Sequence, residues 1–214
     1  VKHRYLKLAL FSMIATPTFA AEPIDGWYLT GFGGYAYFPN NVTKLYDGIV
    51  YDEANYESEY NAGGGFGYQS NPMRYEGQVT YLNGMLDNVF ENGLKIDEAA
   101  GYTNAVLGLV NVYYDFPMVI PTLSPFLGAG VGYGWINVKI DNARVPDVAD
   151  FRVADSAFAY QGTAGITFNF AENYALNVAF RYVGTNNIDD LGKPFQAYMA
   201  NAGIVYRYEG AQYK

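Results

Sequence analysis

Apolar or aromatic residues alternate with polar residues or glycine in a series of short segments along this chain. The alternation is clearest where Tyr174, Leu176, Val178, Phe180 and Tyr182 interleave with Ala175, Asn177, Ala179, Arg181 and Val183. A side-chain period of two is that of a β-strand whose faces meet different surroundings. The same pattern sets Tyr75, Val79 and Tyr81 against Arg74, Glu76, Gln78 and Thr80. It sets Phe158, Tyr160, Ala164, Ile166, Phe168 and Phe170 against Gln161, Thr163, Thr167 and Asn169. Near the C-terminal end, Tyr198, Ala200, Ala202, Ile204, Tyr206 and Tyr208 oppose Asn201, Gly203 and Arg207. The pattern predicts eight strands, over 26–38, 60–69, 74–83, 102–115, 125–138, 157–170, 174–184 and 197–208. Facing is ambiguous in the first and fourth, where Trp27, Leu29 and Tyr35 compete with Tyr28, Phe32 and Phe38, and Val106, Val110 and Val112 with Leu107 and Leu109.

The connections alternate in length. Segments 39–59, 84–101, 139–156 and 185–196 are long, whereas 70–73 and 171–173 are tight turns. The remaining connection, 116–124, carries Pro117 and Pro121 and fits least well, unless a flanking strand extends into it. Long loops on one side and short turns on the other orient a membrane barrel, with the long loops outside the cell and the turns in the periplasm.

A soluble sandwich would turn its greasy face inward. Here that face is rich in Tyr and Phe, and the opposite one carries glycine, Arg, Glu, Gln and Asn. Lys2, Arg4 and Lys7 precede the apolar stretch Leu8 to Ala15, followed by Pro17, Thr18, Phe19 and Ala20, the layout of a secretory signal peptide cut after Ala20. That stretch is too short for a membrane-spanning helix, which needs about 20 apolar residues. The expected organisation is a signal peptide over 1–20 and one domain over 21–214. That domain is expected to be all-β, an eight-stranded antiparallel up-and-down transmembrane β-barrel, with its apolar face toward outer-membrane lipid and a bacterial outer-membrane location. Trp27, Tyr68, Tyr114, Phe168, Tyr174, Tyr182, Tyr206 and Tyr208 stand near strand ends, where amphipathic rings form girdles at headgroup level.

Charge and composition narrow the function. The chain has 13 basic and 21 acidic residues, and losing the signal peptide removes three of the former and none of the latter, leaving a net charge near −11. Such acidity argues against nucleic acid as a partner. There is no cysteine, and the one histidine, His3, lies in the signal segment. No metal site built on Cys or His, no disulfide, no cofactor and no histidine-dependent hydrolase is therefore expected. Catalysis by carboxylates alone would need a pair at one depth, whereas Glu76 stands alone on the inner wall, so no enzyme is expected.

The glycines of 128–134, at every second position, superficially suggest a phosphate loop. Such a loop joins a strand to a helix, and these glycines recur within a strand. Like Gly63, Gly65 and Gly67, they form an inward stripe that makes room for bulky neighbours, with Tyr28 or Phe32 expected across Gly65 and Gly67. Alternation also places Glu76, Arg181 and Arg207 in the lumen, with Arg74 nearer the rim. Glu76 and Arg207 lie at similar distances from periplasmic turns and are expected to pair, while Arg181, higher up, is expected to use Gln161 or a loop acid. In a barrel of eight strands such charges read as a plug rather than a gate. The first long loop carries Asp47, Asp52, Glu53, Glu57 and Glu59 against Lys44, and reads as a solvated acidic surface, since no calcium-loop spacing appears.

Segments 26–31 (Gly-Trp-Tyr-Leu-Thr-Gly), 111–116 (Asn-Val-Tyr-Tyr-Asp-Phe) and 125–133 (Pro-Phe-Leu-Gly-Ala-Gly-Val-Gly-Tyr) resemble the small outer-membrane β-barrel superfamily that includes opacity proteins, rickettsial surface antigens and the barrel of outer membrane protein A. The resemblance implies insertion by the outer-membrane assembly machinery and surface loops of the adhesin or antigen kind, contacting host or envelope proteins. A narrow porin-like channel through the charged lumen is the alternative. Two departures stand out: the terminal aromatic Tyr208 is followed by Glu209 to Lys214, and no peptidoglycan-binding domain is expected after the barrel.

Overall fold

The computed structural model describes residues 25–39, 44–46, 49–91, 94–117, 122–141, 151–187 and 194–208. The signal segment and Asp47 lie outside these residues, and so do the side chains of Asp52, Glu53 and Glu57. Every regular element described is a strand: β1 (Gly26–Tyr37), β2 (Lys44–Tyr46), β3 (Ile49–Ser70), β4 (Met73–Glu91), β5 (Leu94–Asp115), β6 (Leu123–Asp141), β7 (Phe151–Asn169), β8 (Tyr174–Asn187) and β9 (Pro194–Arg207). From β2 onward consecutive strands pair antiparallel, and β1 pairs with both β9 and β3, which closes an eight-stranded barrel. The short β2 sits outside the closure, paired only with β3.

The strand register measures the barrel's stagger. From Arg207 the paired residues run Tyr28, Gly67, Glu76, Asn111, Gly130, Gln161 and Val183, and the circuit returns to β9 at Ala197, ten residues from its start. With eight strands and ordinary strand spacings, that stagger gives a tilt of about 40°.

The strands run well past their predicted ends. Where loops were expected at 39–59, 84–101, 139–156 and 185–196, pairing continues, and β3 and β5 each reach 22 residues. At about 3.3 Å per residue such strands are far longer than the apolar band of about 25 Å. They therefore project from the membrane as paired ribbons. Beyond the bilayer neither face has to be apolar, so the alternation that reveals a strand is lost while its hydrogen-bond ladder continues. On the periplasmic side, β6 begins at Leu123, inside the connection expected over 116–124.

Facing is resolved in both ambiguous strands. Trp27, Leu29 and Tyr35 face lipid while Tyr28, Phe32 and Phe38 are buried, and Val106, Val110 and Val112 face lipid while Leu107 and Leu109 are buried. The inner face is thus not polar throughout. Toward the extracellular end it is a buried apolar cluster that includes Phe38, Leu82, Leu107, Leu109, Ile136, Val183, Phe195 and Met199.

Candidate functional site

The barrel interior is the natural place for chemistry, and its filling follows from one pairing rule. The inward row of β5, Tyr113, Asn111, Leu109 and Leu107, lies in register with the inward glycines Gly128, Gly130, Gly132 and Gly134 of β6. A side chain at Gly128, Gly130 or Gly134 would collide with Tyr113, Asn111 or Leu107 in turn. On the other wall Tyr28 lies against Gly67 and Phe32 against Gly63, while Glu76 covers Gly65. Large residues on one strand occupy the space their neighbour's glycines leave, so the lumen closes by interlocking.

The polar residues form tiers in the periplasmic part of the lumen. At the mouth, Arg74 Nε lies 2.8 Å from Asp115 Oδ2, and the Arg74 guanidinium stacks over the Tyr113 and Phe126 rings at 5.0 and 4.7 Å. Arg207 donates from Nε to Gln69 and from Nη2 to Asn169, both at 3.0 Å. Above them Glu76 accepts from the Tyr113 hydroxyl at 3.2 Å. Beside it runs an amide chain in which Gln161 donates to Asn111 at 3.2 Å, Asn111 to Gln78 at 2.9 Å, and Gln78 to Thr80 at 2.6 Å. Higher still, Arg181 sits 3.9 Å above the centre of the Phe32 ring and donates to Asn201 at 3.4 Å, and Asn201 in turn bonds Asn61 across β1.

These contacts correct three expectations. Glu76 and Arg207 do not pair, because along the row that joins them Tyr28, fully buried, fills the space over Gly67. Arg181 is held by an aromatic face and an amide, with the Glu76 carboxylate as a nearby opposite charge, rather than by Gln161 or a loop acid. Arg74 does lie near the rim, although it is only 4% exposed. Glu59, assigned to the loop surface, is also buried, and its carboxylate accepts the Phe38 backbone N–H at 3.2 Å. Sequence reasoning missed the Arg74–Asp115 pair and the Gln78–Asn111–Gln161 chain. Alternation had placed Gln78 and Gln161 inward, but only the register brings them together.

On the outer wall the aromatic residues form two bands. Toward the periplasm, Trp27 stacks on Phe66 at 4.9 Å and meets Tyr68 at 5.2 Å, Tyr206 meets Tyr174 and Tyr208 at 5.0 Å, and Phe170 links Phe168 to Tyr174. Tyr114 packs against Phe116 at 5.1 Å in the same band. Tyr182 belongs to the opposite band, with Tyr160 and Tyr198. Among the described residues no cluster of three or more His, Cys, Asp or Glu could hold a metal ion.

Comparison with known proteins agrees with this architecture. Neisserial surface protein A superposes with a TM-score of 0.54 at 14% identity, over 86% of this chain and 97% of that one. The outer membrane protein OprG of Pseudomonas aeruginosa superposes with a TM-score of 0.53 at 15% identity, over 88% and 100%. At these identities the likeness is one of fold. In sequence, an uncharacterized protein of Brucella abortus (strain 2308) is 24% identical over 213 residues, covering 81% of this chain and 74% of its own length. A protein of Gluconacetobacter diazotrophicus named simply as an outer membrane protein is 28% identical over 203 residues, covering 80% and 51%. A family model described as outer membrane protein beta-barrel domain matches residues 6–208, and this chain belongs to that family, a multi-pass β-barrel of the bacterial outer membrane.

Proposed function

We propose that this barrel is a non-conducting, non-enzymatic anchor whose working surface is the extracellular projection of its strands and loops, of the surface-antigen or adhesin kind. The observation that carries this reading is the apolar cluster over the polar tiers. An ion entering from the periplasm would leave the hydrogen-bonded residues around Glu76 and Arg181 and meet Leu107, Ile136, Met199 and their neighbours, none more than 8% exposed. Crossing a buried apolar layer without compensating polar groups costs several kcal/mol or more for an ion. The charges beneath it serve to fix strand register and fill the barrel. Above it, the paired ribbons of β3 to β7 extend beyond the lipid on the cell exterior, and Asp52, Glu53 and Glu57 belong to that part of β3. A basic or amide-rich surface on a host or envelope protein is the complementary partner.

The test has two arms. Refolded residues 21–214 in a planar bilayer should show no discrete openings, and openings abolished by Glu76→Gln would establish the channel instead. Shortening 40–57 while keeping Glu59 should lower binding to cells or matrix without loss of heat-modifiable migration. Unchanged binding would remove the loops from the function.

A further inference from the structure

On the lipid-facing wall of β6 the outward row continues past Tyr133, which meets Phe158 at 6.0 Å in the extracellular aromatic band, to Trp135 and Asn137. In a strand tilted about 40°, two residues rise about 5 Å along the barrel axis, so Trp135 and Asn137 stand about 5 and about 10 Å beyond that ring. This is headgroup depth. There the wall is hollowed into a groove of about 510 Å³ lined by Asn104 and Val106 of β5, Trp135 and Asn137 of β6, and Ala154 and Ser156 of β7, among others. Register accounts for the hollow: Val106, Trp135 and Ser156 form one row of partners, and Asn104, Asn137 and Ala154 the next row out. The two β7 residues are small, and the Trp135 ring leans back toward Gly108, its Cζ3 3.7 Å from where a Cβ would stand there. Trp135 remains 57% exposed. Asn104 Oδ1 accepts from the Tyr81 hydroxyl at 3.2 Å and from Asn83 Nδ2, which fixes that amide by its oxygen. Asn104 Nδ2, the Asn137 amide and the Trp135 indole N–H have no protein partner among the described residues.

We infer that this groove binds the saccharide headgroup of an outer-leaflet glycolipid, with a sugar ring packed on Trp135 and its hydroxyls bonded by Asn104 and Asn137. A sugar ring offers an apolar C–H face to the indole, and its hydroxyls both donate and accept, the same dual capacity as an amide. A phosphate headgroup only accepts and would engage the N–H side of each amide alone. Below the groove the wall returns to Val106, Tyr133 and Phe158, all exposed to lipid, where the acyl chains of the same molecule would lie. The wall thus presents an apolar surface and then a polar hollow in the order in which a glycolipid presents its chains and its sugar.

The test uses refolded residues 21–214 in amine-oxide micelles, which carry no sugar, at fixed micelle concentration. The chain has two tryptophans, so in a Trp27→Phe background the emission of Trp135 reports the groove directly. Titration with lipid A, a diglucosamine glycolipid, should change that emission saturably, and dodecyl maltoside, whose sugar headgroup is uncharged, should compete. Phosphatidylglycerol should bind much more weakly. Calorimetry follows the variants, whose altered side chains are exposed and so spare the fold. Trp135→Leu should abolish saturable binding, and Asn137→Ala should weaken it about fivefold, the loss of one neutral hydrogen bond. Tyr133→Leu, lipid-facing but outside the groove, should leave the affinity unchanged. Phosphatidylglycerol binding as tightly as lipid A, no competition by the maltoside, or affinity unchanged in both groove variants would overturn the assignment.

Discussion

Leu107 and Gly134 offer a direct test of the interlocked lumen. They are register partners on β5 and β6, Leu107 is fully buried, and a methyl group added at Gly134 would lie 2.7 Å from Leu107 Cδ2 and 4.0 Å from Ala159 Cβ. Leu107→Ala removes three carbons, worth about 2.4 kcal/mol at roughly 0.8 kcal/mol each. A cavity the rigid wall cannot collapse raises the cost to about 3–4 kcal/mol. Val106→Ala, one residue away but lipid-facing, deletes two carbons whose space lipid refills, so it should cost no more than about 1.6 kcal/mol. Gly134→Ala alone overpacks the site by about 1–2 kcal/mol. In the double variant the new methyl group enters the space Leu107 vacates, and the total should fall short of the sum by about 1 kcal/mol or more. Urea titration in large unilamellar vesicles, followed by the fluorescence of lipid-facing Trp27 and Trp135, gives all four corners of the cycle. Additivity within about 0.5 kcal/mol, or equal costs for Leu107→Ala and Val106→Ala, would refute the interlocking account.

Two further perturbations probe the same wall. Tyr113→Phe keeps the ring but removes the hydroxyl donor to Glu76, and should cost about 1–3 kcal/mol in the same titration, whereas Tyr114→Phe on the lipid face should stay within about 0.5 kcal/mol; equal effects would mean that Glu76 does not depend on that bond. Gly65→Val sets a Cβ 2.8 Å from Glu76 Cδ, while Gly31, facing lipid, has nothing within 4 Å of the same position. The first should cut the yield of heat-modifiable barrel and Gly31→Val should not, and comparable refolding of the two would argue against the glycine stripe as a spacer.

Much of this protein was legible in its sequence because alternation is a local property of the backbone. Wherever lipid lies on one side, successive side chains must differ, and so the eight strands and the inward positions of Glu76, Arg181 and Arg207 could be read from single segments. The two strands that resisted are those whose inner positions, Phe32, Phe38, Leu107 and Leu109, are as apolar as their outer ones. Their ambiguity was the trace of the apolar cluster. The strands' extracellular extensions were illegible for the opposite reason: outside the bilayer nothing demands contrast between faces, and pairing with a neighbour alone keeps β3 extended to Ile49.

Partnership was decided only by the closed barrel. Equal distance from a turn does not make two residues neighbours when one circuit of the sheet climbs ten positions and when Tyr28 occupies the row between Glu76 and Arg207. The pairing of Arg74 with Asp115, the Gln78–Asn111–Gln161 chain and the burial of Glu59 under Phe38 all join residues far apart in the chain. A period-two pattern carries each residue's side of the wall, because that depends on the strand alone. Its height and its neighbours depend on stagger and closure, which belong to the sheet as a whole.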